Sequence, residues 1–115
     1  MTIYKTTQGD AGIVTLSGRM DADWSAEFEK ACIELTTGDR GVRHLIVDLT
    51  GLTYASSMGL RAFLAVAKAR QEAGGELILV GLAGFVKQVF DLTRITSLFR
   101  TASSLDAARD ALASA

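Results

Sequence analysis

Two adjacent hydroxyls, Ser56 and Ser57, sit between Tyr54-Ala55 and Met58-Gly59-Leu60, where a loop after a buried strand turns into a helix. A serine at such a junction can cap the helix, accept a phosphoryl group or act as a nucleophile. The first turn of a helix leaves backbone N–H groups unpaired and carries the positive end of the macrodipole, so an oxyanion is held there without catalytic apparatus. A phosphate on Ser57 would add about −1.5 to −2 charge, tolerated within the domain and repelling a partner docked on that surface. A plain capping serine is the simpler role at the same place. Nucleophilic attack needs an activating base. His44 is the only histidine and stands at the entrance of a buried strand, where a structural or surface role outweighs general-base work, so there is little to build a triad from and a small serine hydrolase is disfavoured.

The other reactive side chains point to packing or turns. Cys32 lies beside Ala31 in an amphipathic stretch with no basic residue arranged to lower its pKa. Asp48 ends an apolar run, an address of functional carboxylates in open α/β sheets and also of turn formers. Cys32 and His44 are the only soft ligands, so no metal site is expected. Gly81 and Gly84 match neither a dinucleotide fingerprint nor a phosphate-binding loop, and no cofactor is expected. Trp24, Phe28, Phe63, Phe85, Phe90 and Phe99 fall at core spacing rather than as a platform for stacking bases.

The whole chain sets limits on partners. It has 115 residues, 12 Lys plus Arg against 13 Asp plus Glu, and a formal net charge of −1. No run of like charge supplies the footprint that nucleic acid or an anionic membrane requires. With 49% hydrophobic and 22% charged residues the composition is that of a globular domain, one that buries roughly two thirds of its unfolded surface. A single cysteine makes no internal disulfide. The start Met1-Thr2-Ile3-Tyr4-Lys5-Thr6 lacks the features of a signal peptide, and no apolar run reaches the about 18 residues of a membrane span. The expected location is the cytoplasm.

The elements that must position the serines follow from periodicity. Ile3 to Thr6 and Gly12 to Ser17 read as two strands of a hairpin across Thr7-Gln8-Gly9-Asp10-Ala11. Gly18 to Asp23 reads as a loop, with Asp23 capping a helix that carries Trp24, Phe28, Ala31 and Leu35 and ends near Gly38. Leu45-Ile46-Val47-Asp48-Leu49 has the pattern of a central strand buried on both faces. A turn over Thr50-Gly51-Leu52-Thr53 leads to the serines and to a second helix carrying Leu60, Phe63, Leu64 and Ala67, stopped by Gly74-Gly75. Glu76 to Val80 reads as a strand, Val86, Val89, Phe90 and Leu92 as a third helix, and Ile95, Leu98 and Phe99 as a last short apolar segment. Ser103 with Asp106 resembles a capping box for a terminal helix using Ala107, Ala108, Ala111 and Leu112. Strands alternating with helices predict an α/β fold, a partly parallel sheet covered by helices.

In this order the residues resemble the STAS domain of bacterial anti-sigma factor antagonists over nearly the whole chain, residues 1–115 as a single domain. Leu16-Ser17-Gly18-Arg19-Met20-Asp21 looks like the family's Leu-x-Gly-x-Leu-Asp segment, and Leu45 to Leu49 looks like its central strand. Tyr54-Ala55-Ser56-Ser57-Met58-Gly59-Leu60 resembles its switch loop, and Gly74-Gly75-Glu76-Leu77 its helix-to-strand glycines. The resemblance implies a mixed sheet of four to five strands covered by about four helices. It also implies a non-enzymatic binding switch. The unphosphorylated protein would bind a GHKL-type anti-sigma factor that is also a serine kinase, and so release a sigma factor. Phosphorylation of the loop serine would break that complex, and a PPM-type phosphatase would restore it.

Carried over by position, the phosphoacceptor is Ser57, and Asp21, Ser56, Ser57, Met58, Gly59 and Arg61 form the contact surface. The family's usual Asp before the acceptor is Ser56 here, which leaves Ser56 as the alternative acceptor, and its second Ser or Thr is Met58, an adaptable apolar contact. A second class of function is a STAS scaffold or sensory module that assembles with partners or binds a small ligand without serine phosphorylation. No large apolar surplus beyond the needs of a core is visible, which predicts a monomer.

Overall fold

The computed structural model describes residues 1–39 and 41–113; of the single domain expected over 1–115, residues 40, 114 and 115 lie outside the described residues. The elements are β1 (Thr2–Gln8), β2 (Ala11–Met20), α1 (Ala22–Thr36), β3 (His44–Ala55), α2 (Ser57–Glu72), β4 (Leu77–Val80), α3 (Gly84–Leu92), a 3₁₀ turn (Thr96–Leu98), β5 (Arg100–Ala102) and α4 (Leu105–Ala113). They build one five-stranded sheet in the order β1-β2-β3-β4-β5, with β1 antiparallel to β2 and the remaining pairs parallel. The expected α/β fold, mixed sheet and four helices are all present.

The order explains the layering. Right-handed crossovers that always step to the next strand in one direction place every crossover helix on the same face. Thus α1, α2 and α3 share one core with the sheet, built around Phe28, Phe63 and Phe90. Ring centroids 5.0 Å apart for Phe28–Phe63, 5.7 Å for Phe63–Phe90 and 5.6 Å for Phe90–Phe99 run as a tilted aromatic chain beneath the three helices. On the opposite face α4 covers Ala11, Ile13, Ile46, Ile78 and Val80 through Ala108. Central strand residues Leu45, Ile46 and Val47 are fully buried, as a strand covered on both faces must be.

Several boundaries differ from the sequence expectation, each for a local reason. The segment 18–20 belongs to β2, with Gly18 at φ +101° where the register to β3 shifts. A bulge glycine carries the same signal as a loop glycine. Thr50 to Thr53 is strand, not turn. Asp48 Oδ1 accepts from the Thr50 N–H at 3.0 Å and the Thr50 hydroxyl at 2.6 Å, an Asx contact inside the strand at a second register shift. The cap of α1 is Asp21 rather than Asp23, because β2 runs to Met20 and the Asp21 carbonyl already accepts from the Ser25 N–H at 3.1 Å. Likewise Ser104 rather than Ser103 caps α4, its hydroxyl accepting from the Ala107 N–H at 3.1 Å. Gly74 does stop α2, just past the cap residue Ala73, at φ +81°. Phe85 is not core: it is 54% exposed.

Candidate functional site

β2 and β3 run parallel and end together, Met20 opposite Ala55, and each is followed at once by a helix. The residues that start those helices therefore stand side by side. Asp21 caps α1, its Oδ1 accepting from the Trp24 N–H at 3.1 Å. Ser56 caps α2, its hydroxyl accepting from the Gly59 N–H at 3.2 Å. The Ser56 N–H donates to the Met20 carbonyl at 2.9 Å and fastens the second start to the end of β2. Two residues 35 positions apart in sequence thus become neighbours through strand pairing.

Ser57 is the first helical residue of α2 and is exposed. Its hydroxyl makes no hydrogen bond within the described residues, whereas that of Ser56 is engaged as a cap. Met58 is 49% exposed. Arg61 is exposed four residues after Ser57, on the same side of α2, and has no ion pair among the described residues. Gly59 is buried: a Cβ there would stand 3.1 Å from Met20 Sδ, so a glycine lets the first turn of α2 close on the last residue of β2. Gly59 shapes the loop from beneath, and the outward-facing members of the expected set are Asp21, Ser57, Met58 and Arg61, with Ser56 half-buried between them.

The remaining candidates are structural. His44 Nδ1 accepts from the Glu76 N–H at 3.1 Å, which joins β3 to the start of β4 and lies at the far end of the sheet from Ser57. Burial pushes the Cys32 thiol up to about 12, against the pull of the Arg70 cation, so it stays protonated and packs as a small apolar group. Among the described residues no group of three or more His, Cys, Asp or Glu side chains could hold a metal ion. No described helix is long and apolar enough to cross a membrane.

One feature of this end went unread in the sequence. The Arg19 guanidinium lies 4.2 Å from the centre of the Tyr54 ring, and Tyr54 stacks on Phe85 with centroids 6.3 Å apart and planes 10° from parallel. The signal available for Phe85 is the double apolar pattern of α3. Val86 and Phe90 form one stripe, which is buried, while Phe85 and Leu92, with half-buried Val89 between them, form another that is left largely uncovered.

Residues 2–108 match the STAS domain family. The chain is a member of that family. Among its relatives, the protein designated anti-sigma factor antagonist BtrV of Bordetella bronchiseptica is 40% identical over 92 residues, 79% of each chain. The crystal structure of a protein assigned as an anti-sigma factor antagonist of Thermotoga maritima superposes on this STAS domain with a TM-score of 0.87, covering 96% of this chain and 94% of that one at 16% identity. The phosphorylated form of the Bacillus cell fate determinant SpoIIAA superposes with a TM-score of 0.74, covering 96% and 99% at 14% identity. In this STAS domain the strand ends that carry Asp21 and Ser57 are the place where a short loop, two helix starts and exposed apolar side chains meet.

Proposed function

We propose that this STAS domain is an anti-sigma factor antagonist of a partner-switching system. Unphosphorylated, it binds a GHKL-type anti-sigma factor that is also a serine kinase, and a sigma factor is released. Phosphorylation on Ser57 ends that binding, and a PPM-type phosphatase restores it. The chain itself catalyses nothing; ATP and magnesium belong to the kinase. It works in the cytoplasm and is a monomer when alone.

The observation that carries the reading is the exposed, unengaged Ser57 hydroxyl at the first position of α2, beside the Asp21 cap, in a chain 40% identical to a protein designated an antagonist. That Ser56 is occupied as the cap favours Ser57 over Ser56 as acceptor. A phosphate at the first helical position gains about 0.3–1 kcal/mol from the helix dipole, so the domain keeps its fold and the charge acts on the partner. A related protein, SpoIIAA, exists in a phosphorylated form.

Phosphosite mapping by mass spectrometry on the protein from growing and stressed cells tests the reading, with Ser57→Ala as control. A single phosphate on Ser57 whose occupancy changes with conditions is the expected result. Absence of phosphate in every condition, with binding of the anti-sigma factor indifferent to Ser57→Ala, would leave a STAS scaffold without a serine switch.

A further inference from the structure

The row Arg19–Tyr54–Phe85 draws one residue from each of β2, β3 and α3 and lies at the end of the sheet that carries Ser57. Phe85 is 54% exposed and Arg19 is exposed. Lys5, Lys68, Lys87, Arg100 and Arg109 each pair with a carboxylate, but Arg19 has none among the described residues. Exposed apolar side chains gathered in one place mark interaction sites, and aromatic residues with arginine are the types that anchor them. The row is continuous with the Ser57 loop. Tyr54 precedes Ser57 by three residues, Met20 next to Arg19 accepts the Ser56 N–H, and Met58 extends the apolar surface beyond the serine. An open cleft lined by Leu52, Thr53, Ala83 and Phe85 lies along its edge.

We propose that the Arg19–Tyr54–Phe85 row supplies most of the affinity of the anti-sigma factor surface, taking from that partner an apolar side chain against Phe85 and Tyr54 and a carboxylate against Arg19. The inference rests on the function proposed above and adds where the binding energy resides. It also gives the phosphate a mechanism. Arg61 lies one turn of α2 beyond Ser57, so a phosphate on Ser57 draws on that cation and repels the carboxylate that Arg19 attracts. A membrane or nucleic acid fits poorly, because Asp21 and Asp23, two and four residues after Arg19, are exposed as well.

The test uses the full chain and the purified GHKL-type anti-sigma factor kinases of its own organism, with affinity measured by calorimetry. Phe85→Ala and Arg19→Glu are each expected to weaken binding at least about tenfold, in the native and the Ser57→Ala background alike, with Tm unchanged. Leu92→Ala should bind as the native chain does. Leu92 is 83% exposed but lies about 10 Å further along the same helix. Added salt should weaken the native chain more than Arg19→Met. Native affinity in both Phe85→Ala and Arg19→Glu, with Ser57→Asp still losing the partner, would overturn the row and leave the switch standing. Failure of the native, unphosphorylated chain to bind any of these kinases would overturn both. Should Phe85→Ala also lower Tm, Arg19→Glu decides in the same two ways, since its side chain lies outside the core.

Discussion

At the end of the sheet where β3 and β4 begin, polar groups close on one another. The Arg43 side chain donates to the Gly74 carbonyl at 2.9 Å and its N–H to Asp10 Oδ1 at 3.1 Å, while Arg70 donates to the Arg43 carbonyl at 3.2 Å. His44 Nδ1 takes the Glu76 N–H, and the Glu76 carboxylate meets Arg100 at 2.5 Å. At the other end, Ser57, Arg19 and Arg61 have no such partners among the described residues, and Met58 and Phe85 face outward. Capped starts of α1 and α2 hold the backbone at the Ser57 end and their C-terminal stops hold it at the other, so the contrast lies in the side chains. Groups satisfied within the chain hold strands together. Groups left over beside two capped helix starts are free to meet another molecule, as the proposed function requires.

The contrast can be broken from either side. Gly75→Ala should do the most damage: its Cβ would stand 2.0 Å from the Arg43 carbonyl oxygen, a backbone atom with nowhere to go. We expect a loss of about 3 kcal/mol and a fall in Tm on the order of 10 °C or more, read by thermal denaturation, with partner affinity at low temperature unchanged. An unaltered Tm would mean that the closed end is not rigid. At the open end, Ser57→Asp should cut affinity for the anti-sigma factor about a hundredfold through like-charge repulsion while Tm holds, and Ser57→Ala should bind constitutively. Equal affinity of the two variants would remove the serine from the switch.

Cys32 offers a pH test of the core under α1. Its folded value is raised above the unfolded one, to about 12 from 9.0, so the stability it contributes is fully present below pH 9 and is lost as pH rises towards 12. Cys32→Ala should therefore flatten the alkaline decline of denaturant stability by about 1 kcal/mol at pH 10; parallel curves for the two proteins would count against a buried neutral thiol. Ser56→Ala should cost about 1 kcal/mol through the lost cap yet leave phosphate incorporation at Ser57 intact in a kinase assay, and loss of incorporation would point to Ser56 as the acceptor. The smallest effect is a gain. Arg94 ends α3 at φ 60° without being glycine, so Arg94→Gly should raise stability by about 0.5–1 kcal/mol in chemical denaturation. No gain would show that the arginine side chain offsets its own backbone strain.

Much of the frame is legible in the residues themselves. The apolar run Leu45 to Leu49, the helical spacing before Gly74 and the hairpin about Gly9-Asp10 are local patterns, and local geometry obeyed them. Thr50 to Thr53 misled because an Asx contact and a bulge use the residues of a turn. Arg100–Ala102 shows no strand pattern; it pairs because β4 offers a parallel edge there, Ile78 to Arg100 and Val80 to Ala102. Phe85 misled because aromatic residues are usually core, and only the competition between two stripes of α3 decides which one is covered.

The sequence by itself determined the types of the elements, the balanced charge and the placing of Ser57 at a helix start, because hydrophobic period, caps and glycines act over a few residues. The tertiary structure alone decided that Asp21 stands beside Ser56 and that Arg19, Tyr54 and Phe85 form one row. These neighbours depend on the register between strands that pair across 35 positions, with two shifts within it, and on which stripe of α3 meets the sheet. Neither is set by any local pattern; both are set by how the whole core closes.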